Sequence, residues 1–95
     1  MKKRDEKMIL ADDTATAGGM TLRYQLTDGG RDGSRFHIRA EHGNHFADVG
    51  VGSDLVFAVD CYRAVREGRV TPCTLEDVIS DLRFQEGNFV NPLYK

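Results

Sequence analysis

Residues 53–82, SDLVFAVDCYRAVREGRVTPCTLEDVISDL, read as two helices joined at a corner, Gly68-Arg69-Val70-Thr71-Pro72-Cys73-Thr74. Ser53 or Asp54 is placed to cap the first helix, because a short oxygen-bearing side chain accepts from the free N–H groups of a first turn. On a wheel of about 100° per residue, Phe57, Cys61, Val65, Ala58, Tyr62 and Leu55 form one broad apolar arc. Asp60, Arg63 and Glu67 form a narrower polar stripe. The arc is wider than a helix lying on one sheet needs, so a second covering surface is expected: the second helix, the C-terminal tail or another chain. Gly68 suits the left-handed position that closes a helix. Pro72 suits the first turn of the next, with Thr71 as cap; alternatively Thr74 caps. Leu75, Val78, Ile79 and Leu82 then recur at helical spacing, and the second helix is expected to end near 84–86, before Gly87.

Upstream of this pair the period changes to two. Met20, Leu22, Tyr24 and Leu26 share one parity against Thr21, Arg23, Gln25 and Thr27, the pattern of a half-buried strand. Asp28-Gly29-Gly30-Arg31-Asp32-Gly33 is a run of turn formers; it lacks the alternating oxygen ligands and distal Glu of a calcium loop. Alternation resumes at Phe36, Ile38 and Ala40. If Gly43-Asn44 is a hairpin loop, His42 faces His45, Ala40 faces Ala47, Ile38 faces Val49 and Phe36 faces Val51. Each of the last three pairs is apolar on both sides. Arg39 then meets Asp48, and Glu41 meets Phe46. A slip of one residue would exchange the two faces, so this register is specified.

The expected fold is therefore α+β: a three-stranded antiparallel meander with two C-terminal helices packed on one face. Residues 1–19 show no sustained period and read as a mobile arm. Residues 20–86 read as a single domain, and 87–95 as an apolar tail. The whole chain has 95 residues, within the range of one domain. Net charge is −2, arising wholly from residues 53–95, which hold five basic and seven acidic side chains. Such a balance is not the footprint of a general nucleic-acid binder. The apolar run Met8-Ile9-Leu10-Ala11 is too short for a signal peptide or a membrane span. With only Cys61 and Cys73, no disulfide framework is implied, and a cytoplasmic location with reduced thiols is expected.

At residues 71–82 the pattern resembles a small uncharacterised domain family of Gram-positive, largely clostridial bacteria. The matching residues are Thr71, Pro72, Leu75, Asp77, Val78, Ile79, Asp81 and Leu82, and the resemblance extends over about residues 20–85. Arg83 departs from it, standing where an apolar residue is frequent. That family has no assigned activity, so the resemblance implies a fold and a lineage but no reaction.

Candidate chemistry is sparse. His42 and His45 would sit side by side at the hairpin tip and are the metal candidates, but zinc wants four ligands, at least three of them protein in a catalytic site. Cys73, in the first turn of the second helix, has no flanking base to activate it. Cys61 lies in the apolar arc and reads as a core thiol. Glu76, Asp77 and Asp81 complement a helix start. Arg23, Arg35 and Arg39, with His37, fall on the solvent parity of the sheet and define an alternative nucleic-acid platform. The stacking aromatics such platforms use are missing apart from Phe46. The second helix is acidic, which opposes a DNA-reading role. No catalytic residue and no cofactor is expected. The leading expectation is a non-enzymatic interaction or regulatory domain that binds a protein partner or a second copy of itself. Phe57, Cys61 and Val65 of the arc, with Phe89, Leu93 and Tyr94 of the tail, are the expected contact residues.

Overall fold

The computed structural model describes residues 8–29 and 33–90, with side chains up to Phe84. Four strands, β1 (Met8–Ala17), β2 (Met20–Asp28), β3 (Phe36–His42) and β4 (His45–Gly50), form one antiparallel sheet in the order β1-β2-β3-β4. Helix α1 (Leu55–Glu67) follows. A single 3-10 turn (Pro72–Thr74) leads into helix α2 (Leu75–Val90).

The α+β class and the two C-terminal helices are as the sequence implies, but the sheet has four strands rather than three. The segment read as an arm contains β1, paired with β2 from Ala17↔Met20 to Met8↔Asp28. Gly18 and Gly19 form the loop, with φ of 57° and 85°. Positive φ at both central positions is the turn whose twist matches a hairpin, and glycine adopts it without strain. The ladder is interrupted between Ile9 and Ala11 by a bulge that leaves Leu10 unpaired. Helix α2 runs to Val90, beyond the expected end near 84–86, so residues 87–90 belong to it. Residues 1–7 of the expected arm and 91–95 of the expected tail lie outside the described residues.

The β3–β4 hairpin has the register that its apolar pairs dictate. His42 faces His45, Ala40 faces Ala47 and Ile38 faces Val49. The ladder continues as the Val51 N–H donates to the Phe36 carbonyl at 2.9 Å. Leu22, Tyr24 and Leu26 of β2, with Phe36, Ile38 and Ala40 of β3, meet Ala58, Cys61, Tyr62 and Val65 of α1 and Leu75 and Ile79 of α2 in one core. Helix α1 lies mainly over β2 and β3, and α2 over β4.

Of the two candidate caps, Asp54 caps α1, accepting from Val56 N at 3.0 Å and Phe57 N at 3.4 Å. At the other end the left-handed residue is Arg69 (φ 51°), not Gly68, which is right-handed at φ −82°. The Val70 N–H reaches back to Val65 O and the Arg69 N–H to Arg66 O, closing the helix in a Schellman arrangement. A non-glycine residue is held there because its guanidinium donates to the Thr16 carbonyl at 2.9 Å, tying the corner to β1.

Two tyrosines join the layers. The buried Tyr24 donates its hydroxyl to Val70 O at 2.8 Å, fixing the corner above β2. Tyr62 donates to Asp13 Oδ2 at 2.7 Å, and its hydroxyl lies 3.1 Å from the Tyr24 carbonyl. Burial first, and then the Asp13 carboxylate, push the Tyr62 phenol well above its ordinary range. Removing this hydroxyl in Tyr62→Phe is expected to cost about 1.5 kcal/mol, as for a hydrogen bond to a charged acceptor. A fall in the urea midpoint with an unchanged slope checks it. The stabilisation from a raised tyrosine is complete below about pH 10, where the unfolded phenol begins to ionise, and is lost as pH rises beyond it. The parent should therefore lose stability more steeply than Tyr62→Phe as pH rises above about 10; parallel curves would refute this coupling.

Candidate functional site

In β2 and β3 the odd-numbered residues face away from the helices, and the three arginines of the proposed platform lie there, each engaged within the chain. Arg23 grips Asp12 through Nε and Nη2 at 3.1 and 2.8 Å, and Arg35 grips Asp28 in the same two-pronged way at 2.8 and 3.0 Å. These pairs hold the Asp12 and Asp28 carboxyls below their ordinary range, the arginine hydrogen bond being the largest cause in each. Arg39 bonds Glu41 at 2.6 Å and stacks on the Phe46 ring at 4.0 Å from its centre. Arg39 faces Asp48 in the ladder, as expected, yet the Asp48 carboxylate turns to the diagonal neighbour His37, its Oδ1 lying 2.7 Å from Nδ1. His37 is buried beside Thr27 on this outer face. Ser34 lies close by, against Gly50, and its hydroxyl accepts the Gly52 N–H at 3.3 Å, fastening the loop before β3.

At the opposite end of the sheet His42 and His45 line a cavity of about 440 Å³ with Met20, Phe46, Thr71, Pro72 and Cys73. The corner has brought Cys73 to the histidine tip. Even so, no group of three or more His, Cys, Asp or Glu side chains among the described residues is placed to hold a metal ion.

The expected contact residues divide. Cys61 and Val65 are at most 1% exposed and belong to the core, so neither is open to a partner; Phe57 is half-buried against that core. The side chains of Phe89, Leu93 and Tyr94 lie outside the described residues. The surplus apolar surface is instead on the flank of α1 that faces β1. There Leu55 and Val59, 51% and 37% exposed, share a groove of about 490 Å³ with Leu10, Ala11, Asp13, Leu26, Tyr62, Arg63 and Arg66.

The groove follows from side-chain volume. The residues of β1 facing the helices are Ala11, Asp13, Ala15 and Ala17, all half-buried, so the strand offers a low floor. Leu26 closes the floor, Leu55, Val59 and Tyr62 form the wall, and Leu10, pushed out by the bulge, stands at the open end. Arg66 is held 3.5 Å from Asp13 Oδ2, while Arg63, exposed on the rim, makes no ion pair among the described residues. Val56, 69% exposed, extends the apolar surface above the wall. Leu55 was legible as part of the arc; Val56 and Val59, which on the helix wheel fall on and beside the polar stripe of Asp60, Arg63 and Glu67, are the sequence signal for the rest.

No protein-family model, curated protein or solved structure matches this chain. No helix among the described residues is long and apolar enough to cross a membrane.

The two cysteines, neither in a disulfide, differ sharply in access: Cys73 is exposed and Cys61 is buried. A native-state thiol assay should titrate one group promptly, at Cys73, and the second only when the chain unfolds. Equal labelling of both in the folded protein would contradict the core position of Cys61.

Proposed function

We propose that this chain is a non-enzymatic protein-interaction domain that docks a partner in the groove between β1 and α1. The observation that carries the reading is the grouping of Leu10, Leu55 and Val59, each more than a third exposed, along one concave surface. Isolated exposed leucines are ordinary, whereas a contiguous apolar groove with a polar rim marks an interaction site. The pairing of Arg23, Arg35 and Arg39 with carboxylates supports this reading over the nucleic-acid platform, since phosphate would have to displace an internal partner at each arginine. The resemblance at residues 71–82 implies no reaction, and two cysteines outside any disulfide fit a cytoplasmic setting.

Placing a photo-crosslinking amino acid at Val56, beside the groove, should give a discrete protein adduct in the native cells, whereas the same group at the exposed Asp81 of α2 should not. The adduct should vanish in Leu55→Asp/Val59→Asp. Both positions are solvent-exposed, so that variant should keep its folding stability to within about 1 kcal/mol. No adduct at Val56, or equal adducts at both positions, defeats the reading.

A further inference from the structure

The geometry points to an amphipathic helix of a partner protein, bearing acidic residues beside its apolar stripe, as the occupant of this groove. The inference rests on the docking reading above and specifies the chemistry of the partner.

The first argument is one of width. A helix with its side chains is about 10 Å across, and strands lie about 4.8 Å apart, so one helix covers roughly two strands. Four strands call for two helices, but α1 is seated over β2 and β3 and α2 over β4. The inner face of β1 is left with only alanines and Asp13 and a groove beside the α1 wall. A third helix laid alongside α1 fills that space.

Extended pairing along the edge of β1 is opposed by the strand itself. The bulge at Leu10 breaks the ladder at one end, and Asp13 is a charge pointing inward. Both are devices that blunt edge-to-edge pairing. They leave the groove intact, because the Asp13 carboxylate is already taken by Tyr62 and Arg66.

The rim supplies the sign of the partner's charge. Arg63 stands exposed beside Val59, without an ion pair among the described residues, and Arg66 is one turn along on the same wall. A carboxylate on the incoming helix, placed next to its apolar stripe, would meet Arg63 as Leu or Ile side chains enter between Leu10, Leu55 and Val59. A second copy of the chain fits less well. A two-fold interface presents the same patch twice, and here Arg66 and Asp13 are already bonded to each other, so Arg63 would meet no open carboxylate of the patch in a second copy.

The test is selection of the folded full chain against a displayed library of helix-forming peptides with randomised apolar and charged positions. Enriched peptides should show apolar residues at helical spacing flanked by Asp or Glu. Their affinity should fall about tenfold in Arg63→Glu, a charge reversal on an exposed rim, and fall similarly in Val59→Asp. Replacing their Glu by Lys should restore binding to Arg63→Glu. Enrichment of basic helices, of extended Pro- or β-branched peptides, or of nothing overturns the inference. So does a doubling of the light-scattering mass that Val59→Asp abolishes, which would assign the groove to a second copy. In each of these cases a groove-dependent adduct at Val56 would leave the docking reading standing, and loss of that adduct would remove both.

Discussion

The bond from the Tyr62 hydroxyl to the Asp13 carboxylate, 2.7 Å long and spanning 49 residues of chain, is the contact on which the placement of β1 depends. The inner face of β1 has little apolar volume to give: Ala11, Ala15 and Ala17 bury far less surface than the leucines and isoleucine opposite α1 in β2 and β3. Its hold on the body of the protein is therefore the β2 ladder and the polar ties from Tyr62 and Arg66 to Asp13 and from Arg69 to Thr16 O. The same tyrosine hydroxyl lies against the Tyr24 carbonyl, and Tyr24 in turn holds the corner through Val70 O. Edge strand, central strand, first helix and corner thus share one set of polar contacts, and a change at Tyr62 is felt by all four.

The β3–β4 hairpin was legible because its inward pairs are all apolar and a register error would have been expensive. The β1–β2 hairpin obeys the same arithmetic about Gly18-Gly19: Ala17 meets Met20, Ala15 meets Leu22 and Ala11 meets Leu26. Its period was obscured by Asp13, a charge standing where the pattern calls for an apolar residue. That aspartate is acceptable only because Tyr62 and Arg66 come to it from a helix distant in sequence. Local pattern reading has no access to such a partner, so a true strand took on the look of a linker. Arg69 is the same case in miniature: glycine was the better local choice for the left-handed position, and a tertiary bond to Thr16 outweighed it.

For the site, the sequence implied that the apolar arc of α1 needs a second covering surface, but not on which flank. The wheel centres the buried stripe on Ala58, Cys61, Tyr62 and Val65, as observed. Where the surplus lies depends on which strands run beneath the helix, and that required β1 to be recognised. With three strands the surplus had the second helix, the tail or another chain to meet, which drew attention to Phe57, Phe89, Leu93 and Tyr94. With four, it faces an open strip of sheet. The outer face shows the complementary limit: parity placed Arg23, Arg35 and Arg39 correctly, but pairing with Asp12, Asp28 and Glu41 is decided by rotamer choices that the alternation does not encode.

Both the obscurity of β1 and the presence of the groove have one physical origin. A strand that faced the helices with leucine or valine at positions 11, 15 and 17 would have announced itself by alternation. At position 11 such a side chain would also have filled the space beside Leu55 and Val59, and that end of the sheet would have been sealed by its own residues. Alanine at each of these positions keeps the backbone ladder while withholding the side chains that would close the core at its edge. The leucine displaced by the bulge and the two wall residues of α1 are then left exposed around a cavity rather than packed. An edge strand stabilised mainly by polar ties, and kept shallow on its inner face, leaves room for a binding surface without opening the Leu22–Ile38–Val65 core behind it.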